Sequence, residues 1–291
     1  MKTISRHVAP WVFGLFFSSP GGAQDFGTKQ TIDSTDFYVF TEAGGTYIPS
    51  ITMNNTSFNE NFSINQTISG LVVNVSGSGT SQVSNFVIQP SIGYDFVLGF
   101  GYQVNNAMGL ELEVGYSQTR LTSASYSANG NFSLVGTIDG NNVNSLSTSE
   151  SVNLSGSANL TQIPILVGIS VQNRSDKFQP MASIGIGVCP TFYSGTLSSA
   201  SGSLSGTATG PGVSYSLSGS PTLLQAETLT SSTAYPFAFK IKAGFDYAFS
   251  PNTSLGLRAW AMGLANSDFG DQLEADLYGA IGLNAAFKVR F

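Results

Sequence analysis

Charge is what this chain has least of. Of its 291 residues only 10% are charged, against about 25% in an average soluble domain. A soluble protein so poor in charge needs a large apolar core. Yet Gly, Ser, Asn and Thr are spread along the whole chain, and its apolar residues come in short segments. Basic residues are the scarcer sign, 11 against 17 acids, with none between Lys29 and Arg120. That excludes a cationic footprint for nucleic acid, which needs clustered Lys and Arg. Cys189 is the single cysteine, so an intramolecular disulfide and a cysteine-cluster metal site are both ruled out, and its expected role is that of a small buried residue. The single histidine is His7, in the stretch read below as a leader, so no Ser-His or Asp-His arrangement is expected in the mature chain. No catalytic group, metal site or cofactor is expected. Beyond the N-terminal stretch, no run reaches the roughly 18 consecutive apolar residues of a membrane helix.

Residues 1–23 read as a secretory signal peptide. Lys2, Arg6 and His7 precede the apolar stretch Val8 to Phe17, and Gly21-Gly22-Ala23 supplies small residues for cleavage. Residue 24 is Gln, so no lipid-bearing cysteine follows. Removing Lys2 and Arg6 takes the formal charge from -6 to -8, leaving an acidic mature form. Residues 24–36 are expected to be a short periplasmic segment, and 37–291 the folded domain.

What the domain does contain is alternation. Phe237, Phe239, Ile241, Ala243, Phe245, Tyr247 and Phe249 interleave with Lys240, Lys242, Gly244 and Asp246. One face suits lipid; the other carries charge and must face something polar or be paired. The same period-two pattern, the weak per-strand signature of a membrane barrel, recurs over Phe37–Tyr47, Ile92–Tyr102, Met108–Tyr116, Ile163–Val171, Ala182–Val188, Leu255–Ala261 and Leu277–Phe291. Counted with the first example, that predicts eight strands. Connections alternate in length. Val104–Ala107, Asn173–Lys177 and Ser250–Asn252 are tight, Asn266–Leu273 is intermediate, and Pro49–Asn85, Leu121–Ala158 and Thr196–Thr233 are long. Short periplasmic turns and long outer loops are the habit of outer-membrane barrels. The expected fold is therefore all-β: an eight-stranded antiparallel up-and-down transmembrane β-barrel with both ends in the periplasm.

The final segment, with Tyr278, Leu283, Phe287, Val289 and the terminal Phe291, resembles the last strand of bacterial outer-membrane barrels. Gln162-Ile163-Pro164-Ile165 and the run Gln179 to Val188 are similar to the opacity-like and OmpA-like eight-stranded families. That resemblance implies a bacterial cell outer-membrane location, outer-membrane lipid around the strands, and a C-terminal signal read by the barrel-insertion machinery. It also implies a role among adhesins, surface antigens, envelope stabilisers or small-solute pores, with enzymes among a few related barrels.

Strand parity points Glu42, Asp95, Glu111 and Glu113 inward from the first three strands, and Lys240, Lys242, Arg258, Lys288 and Arg290 inward from the last three. Acid lies on one wall and base on the other. In a ring of eight the second strand faces the sixth and the third the seventh, so Asp95 is expected near Lys242, and Glu111 or Glu113 near Arg258. Glu111 and Glu113 are also the carboxylate pair closest to acid-base chemistry, but read as lumen lining. An eight-stranded barrel is just wide enough for side chains to fill, and buried charges are costly unless paired. The expectation is a plugged lumen in a non-enzymatic protein with a structural or surface-interaction role; the alternative is a narrow porin-like channel. The Ser/Gly/Asn/Thr-rich long segments read as flexible, solvated loops that could meet a surface partner. Alternating β-formers in Ile64–Val75 and Phe132–Ile138 suggest that some strands extend as hairpins.

Overall fold

The computed structural model describes residues 37–68, 70–105, 107–174, 176–219, 228–229, 232–268 and 274–291. The expected leader, 1–23, and the segment 24–36 lie outside them. Every regular element among the described residues is a strand, and no helix there is long and apolar enough to cross a membrane.

Eight strands close a ring: β1 (Phe37–Tyr47), β5 (Ile92–Gln103), β6 (Met108–Ile138), β8 (Ile165–Gln172), β9 (Phe178–Val188), β14 (Phe237–Ala248), β15 (Thr253–Asp268) and β16 (Glu274–Arg290). Each pairs antiparallel with the next, and β16 returns to β1. Closure leaves no strand edge unpaired around the ring, the only state in which a sheet satisfies its backbone without water. The tight connections form where expected. Asn105 Oδ1 accepts the amides of Ala107 and Met108 at 2.9 and 2.8 Å, and Ser250 Oγ accepts that of Thr253 at 3.0 Å. Short polar side chains that hydrogen-bond their own backbone favour such turns. The chain end lies beside them, with the Phe291 amide donating to Phe37 O at 2.9 Å.

At the other end the strands outrun the ring. The long segments expected as flexible loops are instead paired strands: β2 (Ile51–Thr52), β3 (Thr56–Ile68), β4 (Leu71–Pro90), the upper part of β6, β7 (Asn141–Gln162), β10 (Thr191–Gly210), β11 (Val213–Gly219), β12 (Thr228–Leu229) and β13 (Ser232–Ala234). They build an antiparallel sheet in the order β3-β4-β6-β7-β10-β11. The hairpins anticipated at Ile64–Val75 and Phe132–Ile138 are part of it. Asp139 (φ 47°) and Gly140 (φ 77°) turn β6 into β7, the two positive φ values that an Asp-Gly hairpin loop requires.

Prolines mark the junction between ring and extension. Pro164 separates β7 from β8, Pro190 separates β9 from β10, and Pro236 precedes β14. Lacking an N–H, each can only accept. Gly115, Ile163 and Cys189 donate to the carbonyls of Pro164, Pro190 and Pro236 at 2.8, 2.9 and 3.0 Å. The ladder thus breaks its donor row at one level on adjacent strands, and β6 changes partner there from β8 to β7.

Two apolar cores lie along this axis. One covers the far mouth of the ring, where Ile48, Ile51, Leu121, Leu160, Leu197 and Leu264 are all buried. The second is inside the distal sheet, around Val73, Phe132, Leu134 and Ile138.

Candidate functional site

The ring interior is the site that the charged residues define. Alternation places Tyr38, Phe40 and Glu42 of β1 inside, with Asp95 of β5, Glu111 and Glu113 of β6, and Lys240, Lys242 and Asp246 of β14. Arg258 of β15, with Lys288 and Arg290 of β16, completes the set. All are buried, Glu42 and Arg258 to 1% exposure. All nine residues expected in the lumen are therefore brought together, and Asp246 joins them. Its addition balances the interior: among the described buried residues there are five acids (Glu42, Asp95, Glu111, Glu113, Asp246) and five bases (Lys240, Lys242, Arg258, Lys288, Arg290).

The pairs differ from those expected across the ring. Glu113 bridges Lys240 and Lys242, the latter at 2.6 Å, and Lys242 also reaches Glu42 at 3.1 Å. Arg258 pairs with Asp246, which also takes Lys288 at 3.2 Å, and lies 3.8 Å from Glu42. Arg258 is thus held by acids of β14 and β1 rather than by Glu111 or Glu113. Asp95 accepts a hydrogen bond from Asn284 at 2.8 Å instead of meeting Lys242, while Glu111 accepts one from Tyr38 at 2.8 Å. Strand tilt, about 35–45° in such rings, staggers strands that a flat count sets opposite each other. Asp95 and Asn284 flank one residue, Gly44, in register. A Cβ there would lie 2.4 Å from Asn284 Oδ1, so only glycine lets the two side chains meet.

Aromatic rings brace the bases. Lys242 lies 4.8 Å from the Phe40 ring centre, Lys288 4.8 Å from that of Tyr38, and Lys240 4.9 Å from that of Trp260. A cation over an aromatic face gains more when water is excluded. Phe40 and Tyr38 fit because they lie across Gly99 and Gly101, where a Cβ would come within 2.0 and 1.9 Å of the rings. Facing glycines were the signal that could have found them. Towards the turns, Gln172 donates to Asp246 at 2.6 Å and accepts from Lys288 at 3.1 Å, while Arg290 donates to Gln179 at 3.0 Å. A cavity of about 10 Å³ remains beside Glu111, Glu113, Lys240 and Lys242, room for roughly one water.

On the C-terminal strand, Leu283, Phe287 and Phe291 face outward and Val289 is half-buried beside them. Tyr278 does not share that face: its even position turns it inward, where Gln162 donates to its hydroxyl at 3.3 Å. Cys189, one residue past β9, is buried as expected; burial pushes its thiol up to about 12.

No protein-family description matches the chain, and no curated protein matches it. Among solved structures it is similar to Neisserial surface protein A, at 11% identity over 88% of this chain and 97% of that one, with a TM-score of 0.35. It is also similar to the outer membrane protein OprG from Pseudomonas aeruginosa (13%, 89% and 96%, TM-score 0.30). A third is the outer membrane protease OmpT from Escherichia coli (10%, 90% and 98%, TM-score 0.34). These values are too low to extend any property of those proteins to this chain.

Proposed function

We propose that this chain is a bacterial outer-membrane β-barrel protein, crossing the membrane with its eight ring strands and serving a structural or surface-interaction role with its lumen closed. The observation that carries this reading is inverted polarity. Outward positions on the ring are apolar and exposed, among them Ile92 at 77%, Phe100, Ile184, Ile241 and Leu283, whereas ten charges are buried inside. In water that arrangement would expose a patch far beyond the few hundred Å² a soluble protein tolerates; in lipid it is the stable one.

Aromatic residues flank the apolar surface at both levels. Phe37 packs on Tyr102 at the turn end, and Tyr94 lies beside Tyr116 at the other, with ring centres 5.1 and 6.3 Å apart. From Tyr94 to Tyr102 along β5, strand rise and tilt give roughly 20 Å of height, near the apolar band of such proteins. Outer-membrane lipid would surround this band, and Phe291 with the apolar residues behind it would be the signal for the insertion machinery. Support for closure comes from the paired interior and from the apolar core over the far mouth. Both oppose the narrow-channel alternative, because an ion entering must displace buried pairs and then cross a dry region. Support for a non-enzymatic role is the chain's single histidine, His7, together with interior carboxylates engaged in ion pairs (Glu42, Glu113, Asp246) or in hydrogen bonds from Asn284 and Tyr38 (Asp95, Glu111).

The test is the purified protein in a planar bilayer alongside density fractionation of cells. Outer-membrane recovery with negligible conductance is expected; steady wild-type conductance would replace closure with transport.

A further inference from the structure

The distal sheet carries an outward face unlike an ordinary solvated one. Asn61, Ser78, Ser133, Ser145, Thr209 and Ser214 stand in one register row across six strands. The next two rows down the strands, beginning at Asn59 and at Ser57, follow the same pairings and contain only Ser, Thr, Asn and Gln. A surface with the usual 25–35% of charged residues would place about five charges in these eighteen positions; the face has none. Charge is not absent from the upper parts of these strands, since Glu60 and Glu150 occur there, but both are on the opposite, inward parity; Arg120 is exposed on β6, below these rows, where the strand meets the ring.

On this face a cavity of about 410 Å³ opens between the first two rows of β4, β6, β7 and β10. Its polar groups include Asn131, Ser133, Ser145, Ser147, Thr207 and Thr209. Ser145 and Thr209 bond each other at 2.6 Å. The other four have no side-chain hydrogen bond to the rest of the described chain, so donors and acceptors both remain available. Three inter-strand steps give a length of about 14 Å.

We propose that this groove binds an uncharged polysaccharide chain. The reading deepens the surface-interaction role proposed above and rests on it. A hydroxyl-rich neutral polymer matches a groove whose outward side chains all donate or accept and carry no charge, with apolar atoms of Phe132 and Leu146 between them. An extended peptide fits less well, because it gains affinity from main-chain bonds at a sheet edge, and here the backbone is already used in the ladders. Nucleic acid and acidic glycans require cations, which the groove lacks. Each contact is weak, so strength comes from repeated sugar units meeting several grooves on a cell.

The test uses the full, detergent-folded chain on immobilised dextran, mannan and amylose, with heparin and polygalacturonate as acidic counterparts. Retardation on at least one neutral matrix, reversed by the free polymer, is expected, with none on the acidic ones. Asn131→Asp combined with Ser147→Asp should weaken retention at least about tenfold, the loss of one or two hydrogen bonds. Ser151→Asp with Ser203→Asp, on the same outward face outside the groove, should retain binding. Both variants are first shown to keep the wild-type gel shift on boiling. Free passage through all three neutral matrices, equal retention on heparin, an unaffected groove variant, or self-association through this face without glycan retention would each overturn the proposal. None of these outcomes bears on membrane location or conductance, which the fractionation and bilayer measurements read separately.

Discussion

Arg258 shows how much one interior side chain carries. It pairs with Asp246, lies near Glu42 and donates to Phe245 O at 2.9 Å. Truncating it leaves a carboxylate cluster one cation short in a buried site, and breaking such a pair costs about 3 to 5 kcal/mol. Arg258→Ala should therefore lower the unfolding free energy of the detergent-folded protein, read from its urea curve, by that amount; a loss under about 1 kcal/mol would mean that solvent reaches the network and screens it. Cys189 gives an independent probe of burial. Its raised thiol carries almost no thiolate at neutral pH, so maleimide should label boiled protein and spare the folded state. The facing of these residues was legible because strand parity is a local property. Their partners were not, because tilt and reach decide contacts across a ring. Asp246 sat on the same parity as Lys240 and Lys242, yet it escaped the expected network, in which all the acids came from the first three strands.

At the scale of elements, the ring strands are legible in the sequence and the extension is not. The ring strands announce themselves by large apolar side chains at every second position, exposed on the outer face. The distal strands alternate Ser, Thr and Asn outside with Gly, Val, Phe and Leu inside, so their composition resembles a solvated loop although the inward set buries Val73, Phe132, Leu134 and Leu146. The prolines were the available signal: Pro164, Pro190 and Pro236 each lie where a ring strand meets an upper strand. The final strand invites a direct test. Phe291 adds one terminal bond to the β1–β16 seam by donating to Phe37 O and is 74% exposed, so its side chain adds little to packing within the protein. Deleting it should reduce outer-membrane recovery and increase periplasmic degradation. The purified truncated chain should still refold in detergent, because only one terminal ladder bond is lost. Normal recovery in cells would remove Phe291 from the insertion signal, whereas failure to refold would make its role structural.

For the whole molecule, charge network and apolar cap act in series along one axis. The network fills the ring between its walls, and beyond it the interior passes through Trp260, Met262 and Leu264 into the core around Ile48 and Ile51. An ion crossing the protein would meet both barriers, so weakening one alone should not make a pore. Glu113→Gln with Lys242→Gln removes an acid and a base together, keeping the interior neutral while loosening the middle of the network. This variant should conduct no more than wild type in a planar bilayer. Adding Ile48→Ser and Leu264→Ser places hydroxyls in the cap, lowering the cost of wetting it, and the fourfold variant should then show small, steady currents. Conductance from the first pair of substitutions alone would mean that the cap is permeable and that paired charges are the sole gate. Silence in a folded, heat-modifiable fourfold variant would mean that closure lies in the packing of the distal sheet over the mouth rather than in the polarity of the side chains beneath it.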